Sequence, residues 1–120
     1  MTSNNKIIIF GAGIVGRNAF NYYGFNKVYC FVDNFKADSE YCGKPVISFL
    51  ELCYIYEQYD IIIACSQKNY PTIVEQLQSA GINKYNNFAD IIRPIRYKLL
   101  QEEVYTKTAP SIQNTVDEII

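Results

Sequence analysis

The 120-residue chain contains no histidine. That absence removes the imidazole general base, the Ser-His and Cys-His nucleophile pairs and the histidine metal ligand, and with them much of hydrolase chemistry. Charge of either sign is not in excess. Eleven basic residues stand against twelve acidic ones, a formal net charge of −1, which leaves no global field to draw in nucleic acid or an anionic membrane. The longest uncharged run, Ile7 to Gly16, is stopped by Arg17, well short of the roughly 18 residues that a membrane helix needs. It holds three glycines and is followed by Arg17 and Asn18 instead of a small-residue cleavage site, so it does not read as a signal peptide. The four cysteines, Cys30, Cys42, Cys53 and Cys65, are spaced by 12, 11 and 12 residues without a C-x-x-C pair, so neither a zinc site nor a redox dithiol is expected. They read as reduced thiols in a core or in loops. What is left is a cytoplasmic globular domain that recognises its partners locally, with neither nucleic acid nor membrane among them.

Apolar residues make up 49% of the chain and charged ones 19%, the balance of an ordinary globular domain that builds a core without disulfides or a structural metal. Lys6 to Phe10, Lys27 to Asp33 and Ile61 to Ala64 are short apolar, β-branched runs, as expected of strands buried on both faces of a parallel sheet. Val15, Ala19 and Tyr22 recur at helical spacing before Gly24, a helix stop. Ser48 followed by Glu51 matches a capping box ahead of a second helix, and Pro71 opens a third that carries Ile73, Leu77 and Ala80 and stops at Gly81. Short strands are expected around Val46 and Ile47 and from Lys84 to Phe88. This order predicts an α/β fold, a three-layer sandwich around a mostly parallel five-stranded sheet in the order 3-2-1-4-5. Residues 1–93 form that domain and residues 94–120 a helical tail, in which Ile95 and Leu99 and then Ile112, Val116 and Ile119 recur at helical spacing. The apolar chain end packs on its own sheet, pairs subunits, or marks a truncation before another domain.

The chemistry lies in Gly11-Ala12-Gly13-Ile14-Val15-Gly16, a complete G-x-G-x-x-G. The pattern alone is weak. Here it follows a predicted strand, opens a predicted helix, and precedes by 20 residues from Gly13 an acid, Asp33, at the end of the next strand. Gly11 permits the tight turn, Gly13 lets backbone approach a pyrophosphate, and Gly16 lets the helix pack closely on the sheet. The free amides near Gly13, Ile14 and Val15, with Ala12 beside them, stabilise phosphate charge. Asp33 accepts from both ribose hydroxyls and repels a 2′-phosphate, which favours NAD over NADP, with Lys36 softening the preference. The alternative is a plain βα turn and a plain strand end.

In a sheet of this order the ligand crevice opens between strands one and four, where Cys65, Ser66 and Gln67 fall. Ser66 and Gln67 suit hydrogen bonding to the distal half of a ligand. Cys65 is either a small wall residue or, if something lowers its pKa, a nucleophile. Tyr23 and Lys27 make a Y-x-x-x-K spacing, but Gly24 separates them at a helix end, the wrong place for a dehydrogenase pair. The eleven tyrosines are scattered without interleaved basic residues, which argues against a nucleic-acid platform.

Ile-Ile-Ile-Phe-Gly-Ala-Gly at 7–13, Phe31-Val32-Asp33-Asn34, Gly43-Lys44-Pro45-Val46-Ile47, Asp60-Ile61-Ile62-Ile63-Ala64 and Ala80-Gly81-Ile82 resemble the small Rossmann-like N-terminal domains of bacterial surface-polysaccharide and nucleotide-sugar enzymes. These include NAD(P)- or CoA-binding-like modules and the N-terminal domain of sugar acetyltransferases. The resemblance implies that Gly11, Gly13 and Gly16 contact a diphosphate, and Asp33 with Asn34 the ribose or base. The chain lacks the hexapeptide repeats and catalytic histidine of the acetyltransferases and the second domain of the dehydratases. The expected function is therefore a non-catalytic nucleotide-binding module, holding NAD(P) or a UDP-sugar-like nucleotide sugar, in nucleotide-sugar or surface-polysaccharide biosynthesis. The alternatives are a small NAD-dependent sugar-nucleotide oxidoreductase or epimerase, and a ligand-free dimerisation domain. A homodimer or a missing catalytic domain completes the expected partners.

Overall fold

The computed structural model describes residues 4–96 and residue 98. The chain divides into two compact units, Met1–Phe88 and Ala89–Ile120. Within the second unit, residues 89–96 are helical, and Asp90 pairs with Arg93 three positions on at 3.1 Å. The expected tail positions Leu99, Ile112, Val116 and Ile119 lie outside the described residues.

The first unit runs β1 (Ile7–Phe10), α1 (Ile14–Tyr23), β2 (Val28–Val32), β3 (Ser39–Tyr41), β4 (Lys44–Ile47), α2 (Phe49–Ile55), a 3-10 turn (Tyr56–Gln58), β5 (Asp60–Ile63), α3 (Tyr70–Ser79) and β6 (Asn86–Asn87). The apolar runs form the centre of the sheet because they can be dry on both faces: all four residues of β1 are buried, as are Ile61, Ile62 and Ile63 of β5. Strands β1 and β2, β1 and β5, β2 and β4, and β5 and β6 pair in parallel, whereas β3 pairs antiparallel with β4. The sheet reads β3-β4-β2-β1-β5-β6. It therefore differs from the expected five-stranded sheet in count and order, because Ser39–Tyr41, which lies outside the expected strands, turns back as an edge strand. The physical reason is the turn that follows. Cys42 and Gly43 take φ of 53° and 79°, and two successive residues at positive φ make the tight reversal that a two-residue hairpin needs.

One face of the sheet packs Ile8, Phe10, Cys30, Val32, Ile61 and Ile63 against Leu52 of α2 and Ile73 and Leu77 of α3. On the other face α1 buries Gly16 and Ala19, and its Phe20 stacks on Phe31 of β2 at 6.0 Å. Helix ends fall where the local chemistry puts them. Ser48 accepts from the Glu51 amide and the Glu51 side chain returns to the Ser48 amide, satisfying free donors at both positions. Gly24, at φ 96°, ends α1, its amide donating to Phe20. Two short α/β crossovers leave β1 and β5 toward opposite edges of the sheet, so a crevice opens between their carboxyl ends.

Candidate functional site

The crevice is floored by the strand ends. The Gly11 amide donates to the Val32 carbonyl at 2.8 Å, and the Ala64 amide to the Phe10 carbonyl at 2.9 Å, so the glycine loop continues the sheet before turning into α1. Two glycines are required there by the fold. A Cβ on Gly11, which sits at φ 130°, would overlap the Ala64 carbonyl oxygen, and one on Gly16 would overlap the carbonyl oxygen of Gly11. Gly13 differs: its backbone is extended, at φ −133°, and a Cβ there would meet nothing within 4 Å. The space left by its missing side chain faces outward at the start of α1. No side chain caps that helix, so its first-turn amides point to the crevice unclaimed by the helix's own carbonyls.

The carbonyls beside those amides are held away. Lys36 Nζ donates to the Ala12 carbonyl and the Tyr41 hydroxyl to that of Gly13, each at 2.8 Å. Asp33 is joined to the same loop: its Oδ2 accepts from the Ala12 amide at 3.0 Å and its Oδ1 from the Phe35 amide at 2.9 Å. A carboxylate has about four acceptor positions, so Asp33 fixes the loop and keeps lone pairs for a ligand's hydroxyls. The charges about the loop are thus one carboxylate, the Lys36 ammonium, and Arg17, whose guanidinium lies 5.5 Å from the centre of the Tyr41 ring.

The crevice has two adjoining hollows that share Gly11, Asp33, Cys65 and Asn69. The larger, about 280 Å³, is bounded by Ala12 to Val15, Lys36 and Ser66. The smaller, about 240 Å³, is bounded by Phe10, Asn34, Phe35, Thr72 and Ile73. A larger hollow of about 490 Å³ lies at the opposite strand ends, among Asn5, Asp60 and Tyr85. It has neither the glycine loop nor the start of a helix, so the carboxyl-end crevice is the candidate site.

The structure brings Gly11, Ala12, Gly13, Ile14, Val15, Asp33, Asn34, Cys65 and Ser66 to the crevice. Gly16 is buried beneath the loop, and Gln67 is exposed in the turn that follows Ser66. Ser66 is partly occupied, its hydroxyl and carbonyl both accepting from the Asn69 amide. Burial pushes the Cys65 thiol pKa up, which withholds the thiolate that a nucleophile requires and leaves Cys65 as a wall. All four cysteines are free. Among the described residues no group of three or more His, Cys, Asp or Glu could hold a metal ion, and no helix is long and apolar enough to cross a membrane. Tyr41, Asn69 and Thr72 join the site without a signal in the sequence, because nothing in their spacing marks them. Phe35 carries a signal in hindsight, a large apolar residue beside a strand-end acid.

Residues 3–88 match the family model described as C2185-like, N-terminal; the chain belongs to that family. No curated protein matches its sequence. Among solved structures it is similar to RSP, a Rex-family repressor, with 19% sequence identity and a TM-score of 0.53 over 86% of this chain. It spans 62% of the repressor's chain. At that identity the likeness is one of fold.

These findings correct the reading drawn from the motifs. Neither the family match nor the repressor supports a surface-polysaccharide or nucleotide-sugar enzyme, and the module expected in such biosynthesis is set aside. The segments that carried the resemblance are those that any strand–glycine turn–helix unit needs, so they report a fold and not a pathway. The exclusion of nucleic acid as a partner is also withdrawn, since a chain of this fold is a repressor. Net charge describes a whole molecule and not one face of it. Here Arg17 and Lys36 lie over the Tyr41 ring and Lys44 lies 3.6 Å from the centre of Phe25, so cations and aromatic rings do interleave in space.

Proposed function

We propose that this C2185-like domain binds an NAD-type dinucleotide in its Rossmann-like crevice and serves a regulatory role instead of turning its ligand over. The observation that carries the reading is Gly13. Gly11 and Gly16 are explained by backbone contacts, whereas nothing inside the fold fills the space at Gly13, and that space adjoins the first amides of α1. A diphosphate fits such a place on charge and on shape. Asp33 at the next strand end supplies acceptors for ribose hydroxyls. Its negative charge favours NAD over NADP, and Lys36 on the neighbouring carbonyl moderates the difference.

The regulatory part of the reading draws on the repressor fold and on Cys65, whose raised thiol pKa speaks against covalent catalysis. The reading includes a cytoplasmic location, where four free thiols stay reduced. A thermal-shift series with NAD, NADH, NADP and NADPH tests it. A dinucleotide at 100 times its dissociation constant adds about 2.7 kcal/mol, a rise on the order of 10 °C for a domain of this size. No shift with any of the four at millimolar concentration contradicts the reading.

A further inference from the structure

Asn34, on the wall of the smaller hollow, closes a ring of two hydrogen bonds with Gln76. Asn34 Nδ2 donates to Gln76 Oε1, and Gln76 Nε2 to Asn34 Oδ1, both at 2.9 Å. The pair links the end of β2 to the middle of α3, residues 42 apart in sequence. Asn34 is exposed and Gln76 half-buried, so water competes for both amides and the ring opens at little cost. Next to it Phe35 is 94% exposed although its amide is fixed by Asp33. An exposed aromatic side chain thus stands at the edge of a hollow that Thr72 and Ile73 of α3 also line. Neither the glycine loop nor the sheet needs this arrangement.

We propose that Asn34, whose amide Gln76 occupies until the ligand arrives, selects the base of the bound dinucleotide, and that the base it selects is adenine. The inference rests on the dinucleotide reading above, which puts a ribose at Asp33 and so a base one residue further, at Asn34. Each carboxamide presents a donor beside an acceptor, and in the unliganded domain its complement is the other carboxamide. Adenine offers the same alternation in its exocyclic amine and adjacent N7, the edge that Asn and Gln pair with through two bonds. Two hydrogen bonds break and two form at Asn34, while the displaced Gln76 amide turns to water. A purine with oxygen in place of the 6-amine offers two acceptors on that edge and leaves the amide carbonyl facing one of them. Phe35 then closes on the face of the base, a contact that any base can make.

The test is calorimetric titration of the full chain with NAD and with nicotinamide hypoxanthine dinucleotide, which differ at the 6-position of the purine. The wild-type chain binds NAD about ten-fold or more tightly than the hypoxanthine compound. Asn34→Ala removes most of that preference, Gln76→Ala, which takes away only the amide that the base displaces, keeps it and binds NAD no less tightly, and Phe35→Ala weakens both ligands alike. Circular dichroism of each variant confirms that it is folded. Equal affinity of the wild-type chain for the two compounds overturns the inference and leaves the dinucleotide reading standing, as does a preference that survives Asn34→Ala or that Gln76→Ala abolishes. Binding of neither compound overturns both.

Discussion

Alanine at Gly11 drives a methyl into the Ala64 carbonyl oxygen, and alanine at Gly16 drives one into the carbonyl of Gly11. Both contacts are with backbone, which cannot step aside as a side-chain tip can. Each substitution is expected to cost more than about 2 kcal/mol in urea denaturation, despite the better helix propensity of alanine at position 16. Asp33 combines two roles that the sequence shows only in part. Its place at a strand end is legible; its bonds to the Ala12 and Phe35 amides are not, because they depend on how two loops meet. Asp33→Ala therefore loosens the glycine loop as well as removing ribose acceptors, and Asp33→Asn is the cleaner probe of charge. Cys30 is fully buried, and burial with nearby Glu51 pushes its thiol from 9.0 up to about 12. The folded state thus holds a proton that the unfolded state releases first. Stability from this group is complete below about pH 9 and is lost as pH rises toward about 12. Denaturation of the wild type and of Cys30→Val over that range should show the steeper decline in the wild type; parallel curves would contradict the assignment.

Elements whose logic is local could be read in advance. Ser48 and Glu51 announce the start of α2, Pro71 lies in the first turn of α3, and the isoleucine runs mark β1 and β5. The β3–β4 hairpin could not be read, because Ser39-Glu40-Tyr41 shows neither apolar alternation nor a β-branched residue, and cysteine is not a residue expected at positive φ. With Tyr41 paired to Lys44 and both Cys42 and Gly43 at positive φ, the turn suits asparagine followed by glycine. Cys42→Asn should stabilise the domain by a few tenths to about 1 kcal/mol, a rise of up to roughly 8 °C in Tm. An unchanged or lower Tm would mean that Cys42 has packing that asparagine cannot replace. The hairpin also bears on the site, since it carries Tyr41 to the Gly13 carbonyl.

For the whole molecule, the position of the crevice follows from sheet topology: β1 and β5 diverge, the glycine loop turns up between them, and one helix start meets one strand-end acid there. That much was visible in G-x-G-x-x-G followed by Asp33. The partners across the crevice were not, since Asn34 and Gln76 are 42 residues apart and no spacing rule links them. Function was the least legible, because glycine turns and buried strands serve enzymes and repressors alike. Gly13 gives the central claim its most direct test. Gly13→Val suits an extended backbone, meets nothing within 4 Å and should change stability by about 1 kcal/mol or less, the scale of an altered helix cap. Yet its side chain fills the space assigned to the diphosphate. Calorimetric titration of NADH into the wild type should show saturable binding to one site per chain. In Gly13→Val the same titration should show a loss of ten-fold or more with the melting temperature of the unliganded domain nearly unchanged. NADH binding that is absent from the wild type, or equally tight in the folded variant, would contradict the account.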